Sequence, residues 1–349
     1  MNINLLLTGA GAPGGPGIIK ALKRSDKINL IVADADEFAA GRFLNDTFEL
    51  IPRAEDMNFV AAMKRLCEKH KIQLIFPLVT KELFLLARHK EEFLQLGVRV
   101  IVSDDAMLQL ANNKRKLYQH LQQNNLLVPE FYAVNTVEEF RMAAQKLGYP
   151  AKPFCFKPSV SNGSRGFRIV SDAVNDFELL FNTKPNSTYM RYETACEIVS
   201  SQPFPELLVT EYLPGEEYSI DTIVKNGALQ LILPRRRLQM RDGISIKGEF
   251  VNDPEIINYC KKILGTLSLH GPIGLQVKQA VDGTYKILEI NPRIQGTSVA
   301  AMGMNINLPL IAVMQEFNLE KELQPRHIAW GTKFFRYYNE VYSLPPAGI

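Results

Sequence analysis

The sequence predicts an α/β protein of more than one domain, opening on a doubly wound parallel sheet and turning to strand-rich structure after Pro150. Three observations predict it. Strand-like and helix-like periodicities alternate through the first hundred or so residues, which is the pattern of a parallel sheet covered by helices. A polar stretch then interrupts that alternation near residue 110. Finally, Asp282-Gly283 joins two apolar runs, a strong local signal for a hairpin.

In chain order, Ile3–Thr8 reads as a buried strand. A Gly/Pro loop and a helix carrying Ile18, Ile19 and Leu22 follow, then a strand Leu30–Ala33. The alternation continues with a helix over 57–70, a strand over 72–76, a helix over 81–96 and a strand Val98–Val102. Residues 112–125 are polar with helical spacing at Leu117 and Leu121, and Pro129 precedes a new strand. Past Pro150 the strands are Phe154–Lys157, Phe167–Val170, Leu207–Glu211, Tyr218–Val224 and Leu229–Leu233. A helix over 254–268 leads to strands Gly274–Gln279 and Tyr285–Ile290. Domains are expected at 1–110, 111–205 and 206–349.

Composition excludes several classes. Forty Lys and Arg against 37 Asp and Glu give a formal charge of +3, too small a bias for a nucleic-acid partner. The four cysteines are widely spaced without a C-x-x-C pair, so reduced core thiols are expected rather than zinc or disulfides. The five histidines have no metal-ligand spacing. The N-terminus has neither a basic n-region nor a long apolar run, so the expected location is the cytoplasm, with no membrane partner.

Four constellations carry chemistry. The first, Gly9-x-Gly11-x-x-Gly14 between strand and helix with Asp34 20 residues beyond Gly14, matches a dinucleotide fingerprint. Pro13 and Pro16, however, remove two backbone donors that a pyrophosphate would need. The alternative is a tight turn lining a substrate cleft. The second is Lys157 at a strand end, followed by a small polar loop, Ser159 to Gly166, that contains Gly163, Ser164 and Arg165. Backbone amides and hydroxyls there can take phosphate oxygens while the ammonium supplies charge, and a plain hairpin loop is the competing reading. The third is Glu211-Tyr212-Leu213 running to Glu216, Glu217 and Asp221. A strand edge of this kind offers a purine one donor and one acceptor, and a carboxylate can hold ribose hydroxyls. A charged exposed strand would look the same.

The fourth is Gln276 on one strand with Glu289, Asn291 and Arg293 on the next. Alternation puts the latter three on one face, and the hairpin brings Gln276 across from them. Hard oxygen donors suit a magnesium–nucleotide rather than a transition metal, and Arg293 would steady a transferring phosphoryl group. A buried row of this kind is too costly in desolvation to be a casual core feature. A basic run, Arg235-Arg236-Arg237 with Arg241 and Lys247, also puts Arg235 and Arg237 on one strand face as a clamp for a carboxylate or acyl phosphate, or simply as a solvated surface.

Taken in order, these residues resemble the ATP-grasp superfamily, specifically the carbamoyl-phosphate synthase large subunit and the pyrrolysine-biosynthesis ligases. The likeness runs from residue 1 to about 310, through Asn113-Lys114 opening a helix, Lys157, Glu211 to Leu213, Glu217, Gln276 and Glu289-x-Asn291-x-Arg293. It implies an ATP-grasp fold behind a Rossmann-like N-terminal domain. It also implies ATP and one or two Mg ions, small-molecule carboxylate and amine substrates, and a homodimer. Lys114, Lys157 and Ser164 would meet phosphates, the backbone of Glu211, Tyr212 and Leu213 the adenine, and Glu217 the ribose. Gln276, Glu289 and Asn291 would hold the metal. Arg293 and Lys157 would be catalytic, and Gly296-Thr297-Ser298 would border the acceptor cleft. Many relatives carry a carboxylate where this chain has Gln276. The expected activity is ATP-dependent ligation of a carboxylate to an amine through an acyl phosphate. The alternatives are carbamate- or amide-kinase phosphotransfer and an NAD-dependent oxidoreductase, which would use only residues 1–35.

Overall fold

The computed structural model describes residues 2–343 except 162, 164, 183–187, 242, 324 and 326. The chain divides into two compact units, one formed by Met1–Gln109, Tyr218–Leu275 and Ile290–Ile349 and the other by Leu110–Glu217 and Gln276–Glu289.

The first unit opens on a five-stranded, all-parallel sheet in the order Phe48–Leu50, Ile28–Asp34, Ile3–Thr8, Leu74–Pro77, Arg99–Val100. Strand alternation sends Ile3, Leu5, Leu7, Leu30 and Val32 to one core and Leu6, Ile31, Ala33 and Ile75 to the other. A parallel sheet buried on both faces explains why its strands read as unbroken apolar runs. Helix Gly15–Leu22 buries Ile18, Ile19 and Leu22 against the first of these cores, together with the wholly buried helix Leu308–Gln315. The chain order reverses between Ile3–Thr8 and Leu74–Pro77, which creates a crevice at their carboxyl ends.

The helix expected over 81–96 is two, Thr80–Arg88 and Lys90–Gln95, interrupted at His89, whose Nδ1 bonds Glu92 at 2.7 Å. The short edge strand Phe48–Leu50 was not legible in the periodicity. The same unit contains most of a second sheet, ordered Tyr285–Asn291, Gly271–Gln279, Glu217–Lys225, Ala228–Arg241, Ile244–Phe250, Lys333–Phe335. The strand expected at 229–233 extends to Arg241 because its arginine-rich half pairs with Ile244–Phe250.

The second unit holds a mixed five-stranded sheet, ordered Phe131–Val134, Leu207–Glu211, Phe154–Pro158, Arg168–Val170, Tyr189–Met190. Its core centres on Phe140, whose ring meets those of Phe154 and Phe156 edge-on at 5.7 and 5.4 Å. Phe140 lies on helix Val137–Lys146, started by a capping box between Thr136 and Glu139. The hairpin turn joining Gly271–Gln279 to Tyr285–Asn291 closes with Ala280 N–H donating to Thr284 O at 2.8 Å. Its Gly283 sits at φ +85°, a conformation that costs a glycine nothing.

Candidate active site

In the second unit, strand Phe154–Pro158 turns Phe154 and Phe156 into the apolar core and so directs Lys157 to the opposite face. There Lys157 Nζ donates to the Leu288 carbonyl at 3.1 Å and lies 5.9 Å from the centre of the Tyr118 ring. Tyr118 Oη donates to that same carbonyl at 2.9 Å. Lys114 begins helix Lys114–Gln123, with Asn113 as its cap accepting from Lys116 N–H at 3.0 Å. The Lys114 side chain is buried, donates to Ser161 O at 2.9 Å and stands 3.5 Å from Glu289 Oε2.

Burial, with repulsion from Lys114 next, pushes the Lys157 ammonium down to about 8, while Glu289 and Glu217 pull it back up. Lys114, at the first position of its helix, is thus near enough to Lys157 for each cation to disfavour the other. The polar loop after Pro158 begins here; Ser164, expected to contact phosphate, lies outside the described residues.

Glu211 ends strand Leu207–Glu211, and its carboxylate is held by Glu130 N–H at 2.8 Å and by Lys286. The side chain thus fixes the strand end, while ladder pairing stops at Glu211 and leaves Tyr212 and Leu213 beyond it. Pairing resumes when Gly215 N–H donates to Gln279 O at 3.1 Å and Gln279 N–H to Glu216 O at 3.0 Å. Lys278 covers the Tyr212 ring at 5.6 Å, and Leu213 is buried. In the hairpin, Gln276 is partly exposed between buried Leu275 and Val277, and Glu289 and Asn291 are partly exposed on either side of buried Ile290. Among the described residues no three His, Cys, Asp or Glu side chains converge. Within this unit a metal would rest on the Glu289 carboxylate and the Gln276 amide oxygen, with a ligand's phosphates completing the shell, and such hard oxygen donors fit magnesium.

In the first unit, the expected third member of the row has left the strand. Arg293 N–H donates to Asn291 O at 2.7 Å in a bend after the strand ends. Its Nε donates to Thr80 Oγ1 at 3.0 Å and one Nη to Ile294 O at 2.9 Å. Gly296 backs onto Gly14 so closely that a Cβ on Gly14 would stand 2.6 Å from the Gly296 Cα. Thr297 is buried, and Ser298 Oγ donates to Asp221 Oδ1 at 2.6 Å.

Asp221 is also the partner of Arg235, at 3.1 Å, so the arginine expected as a substrate clamp is engaged in a buried ion pair. Arg235 is 1% exposed, its guanidinium lies 5.4 Å from the centre of the Phe334 ring, and one buried Nη has no hydrogen-bond partner among the described residues. The neighbouring arginine on that face, Arg237, donates through Nε to Ser245 Oγ at 3.1 Å and through an Nη to Gly243 O at 2.5 Å. The glycine loop is equally committed. Asp34, the acid a ribose would need, accepts from the Gly11 and Asp36 amides at 2.7 and 3.0 Å. The Gly296 backbone fills the space beside Gly14 that a pyrophosphate would approach. The dinucleotide reading therefore has no support in this loop.

A family model described as "ATP-grasp in the biosynthetic pathway with Ter operon" matches residues 203–332, and one described as "PylC-like, N-terminal domain" matches residues 5–101. These two matches, with the relatives and solved structures that follow, support a place for the chain in the ATP-grasp superfamily. Its fold agrees: an ATP-grasp chain behind an N-terminal parallel sheet of Rossmann type. Among solved structures, an L-amino acid ligase from Bacillus licheniformis superposes with a TM-score of 0.66 and 18% identity, over 93% of this chain and 78% of that one. The N5-carboxyaminoimidazole synthetase from Staphylococcus aureus, complexed with ADP, superposes with 0.65 and 16%, over 90% and 78%. In sequence, the carbamoyl phosphate synthase large chain of Caldanaerobacter subterraneus is 26% identical over 244 residues, covering 67% of this chain. The match spans about a fifth of that relative's own length.

Several residues that hold the candidate site's side chains escaped sequence reasoning. Thr80 and Glu130 carry no motif and matter only through partners 213 and 81 residues away. Glu82 is similar: buried, bonded by the Thr8 hydroxyl, and pushed up to about 7 by burial with Asp34 adding repulsion. Among the described residues no single helix is long and apolar enough to cross a membrane.

Proposed function

We propose that this ATP-grasp chain is a Mg-ATP-dependent ligase that joins a carboxylate to an amine. The observation that carries the reading is the pair Lys114 and Lys157, desolvated cations close enough to depress one of them, with Glu289 and Glu217 as their acidic counterweight. Such a pair is unfavourable until a polyanion arrives, and a nucleotide triphosphate supplies that charge.

In this reading Lys114 and Lys157 hold the phosphates against the start of helix Lys114–Gln123. The unpaired peptide edge at Tyr212–Leu213 receives the adenine, and Glu217 the ribose. Gln276, Glu289 and Asn291 would hold magnesium, which when bound supplies charge neutralisation at the phosphate oxygens. A substrate carboxylate oxygen attacks the γ-phosphorus, the bond to the β-phosphate oxygen breaks, and ADP leaves. The amine then attacks the acyl carbon, phosphate departs with the bonding pair, and the amine's proton is lost to solvent or base. Arg293 supplies fixed positive charge to the transferring group, requiring no proton movement. In this reading the activity is cytoplasmic.

A phosphate-release screen tests the reading, with the protein, ATP, Mg and pairs of amino acids or small carboxylates. Release that requires both members of a pair supports ligation. Release with a carboxylate or carbamate alone, accompanied by a stable phosphorylated product, would favour phosphotransfer, the reading suggested by the carbamoyl phosphate synthase relatives.

A further inference from the structure

We infer that Thr80 is a positioning residue for Arg293, and that the glycine loop after the first strand serves this same support rather than a nucleotide. The inference rests on the ligase reading for the role of Arg293, and on independent geometry for its hold.

Thr80 is 8% exposed and opens helix Thr80–Arg88, which starts at the carboxyl end of strand Leu74–Pro77, beside the reversal point of the parallel sheet. Its hydroxyl accepts from Arg293 Nε at 3.0 Å, while the Ile294 carbonyl accepts from an Nη at 2.9 Å. Anchors at two different nitrogens fix the plane of a guanidinium, where a single anchor leaves it free to rotate about that bond. A charge that stabilises a transferring phosphoryl group acts through orientation, so loosening the plane reduces turnover more than it reduces nucleotide binding.

The support continues below Thr80. Gly9, at φ +71°, lies against Leu78 and Val79, and a Cβ there would stand 2.8 Å from a Val79 methyl. Glu82, one residue beyond Lys81 in the same turn, takes the Thr8 hydroxyl from the end of the first strand. On the other side Gly14 packs on Gly296, three residues after Arg293. The loop that resembles a dinucleotide fingerprint thus braces both the residue preceding Thr80 and the segment following Arg293.

The test compares wild type with Thr80→Val, Thr80→Ala and Thr80→Ser in steady-state phosphate release with Mg-ATP and a substrate pair accepted in the screen, alongside Mg-ATP binding by calorimetry. Losing a hydrogen bond to a charged group corresponds to about a ten- to hundredfold effect. The expected result is a fall of that size in kcat for Val and Ala, an ATP KM within about threefold, and recovery by Ser to within about threefold of wild type. Unchanged kcat in Val and Ala overturns the inference and leaves the ligase reading standing. Equal loss in Ser shows that the threonine methyl matters instead of the hydroxyl, and also overturns it. Wild-type protein that fails to bind Mg-ATP removes the ligase reading itself, and the inference with it.

Discussion

If Lys157 holds the nucleotide as proposed, the affinity for Mg-ATP is expected to depend on pH in a defined way. Its ammonium is held down to about 8, against an ordinary 10.5, by burial and by Lys114. At 1.36 kcal/mol per unit this is roughly 3 kcal/mol of disfavour toward the charged form in the empty site. A polyanion binds the protonated form, so the apparent Kd scales roughly as 1 + 10^(pH − 8). Below about pH 7 the lysine is already charged and affinity is flat; above it the ligand must draw a proton in. Affinity therefore falls about tenfold from pH 7 to pH 9, and binding at pH 8 takes up about half a proton. Calorimetry in buffers of different ionisation enthalpy measures both quantities. Lys157→Arg, charged throughout but displaced, should bind Mg-ATP more weakly than wild type at pH 7 and with a flat profile over that range. A flat profile in wild type, or no proton uptake at pH 8, would refute the reasoning.

Further outcomes follow from the same geometry. Arg293→Ala is expected to abolish product formation while Mg-ATP affinity stays within several-fold, whereas Glu289→Ala should lose both, as binding and phosphate release on the same preparations will report. Glu82 has a folded-state carboxyl raised to about 7 from 4.5, so its penalty is absent at pH 4, grows through pH 4.5 to 7, and is complete above. Glu82→Gln, which keeps an acceptor for Thr8, should then stabilise by up to about 3 kcal/mol at pH 8 and by little at pH 4, measured by urea unfolding. Asp221→Asn strands the buried Arg235 charge and should cost about 3–5 kcal/mol in the same assay.

What the sequence revealed was set by local pattern. Strand Leu207–Glu211 falls where its alternation places it, and Asn113-Lys114 opens a helix as its capping chemistry requires. Helix Val137–Lys146 went unread although Thr136-x-x-Glu139 is a capping box visible in the sequence. Other features are not local at all. Three consecutive arginines look like a solvated face, and only the fold brings Asp221 and Phe334 to Arg235. The glycine loop carries a fingerprint pattern, yet its meaning depends on Gly296, which occupies the place of a ligand. Arg293 keeps the spacing of a strand residue while lying in a bend, because Asn291 O draws its amide back.

The Leu288 carbonyl receives both Lys157 and the Tyr118 hydroxyl. An ammonium has three protons arranged as a tripod, so one leg can stand on that oxygen while the others turn toward an arriving anion. Lys157 in this arrangement is a fixed post, and the proposed capture of a phosphate would need no swinging arm and no broken contact. A guanidinium is flat and longer, and cannot stand on one oxygen while presenting charge at the same height. Exchanging lysine for arginine here would preserve the sign of the charge and lose its place.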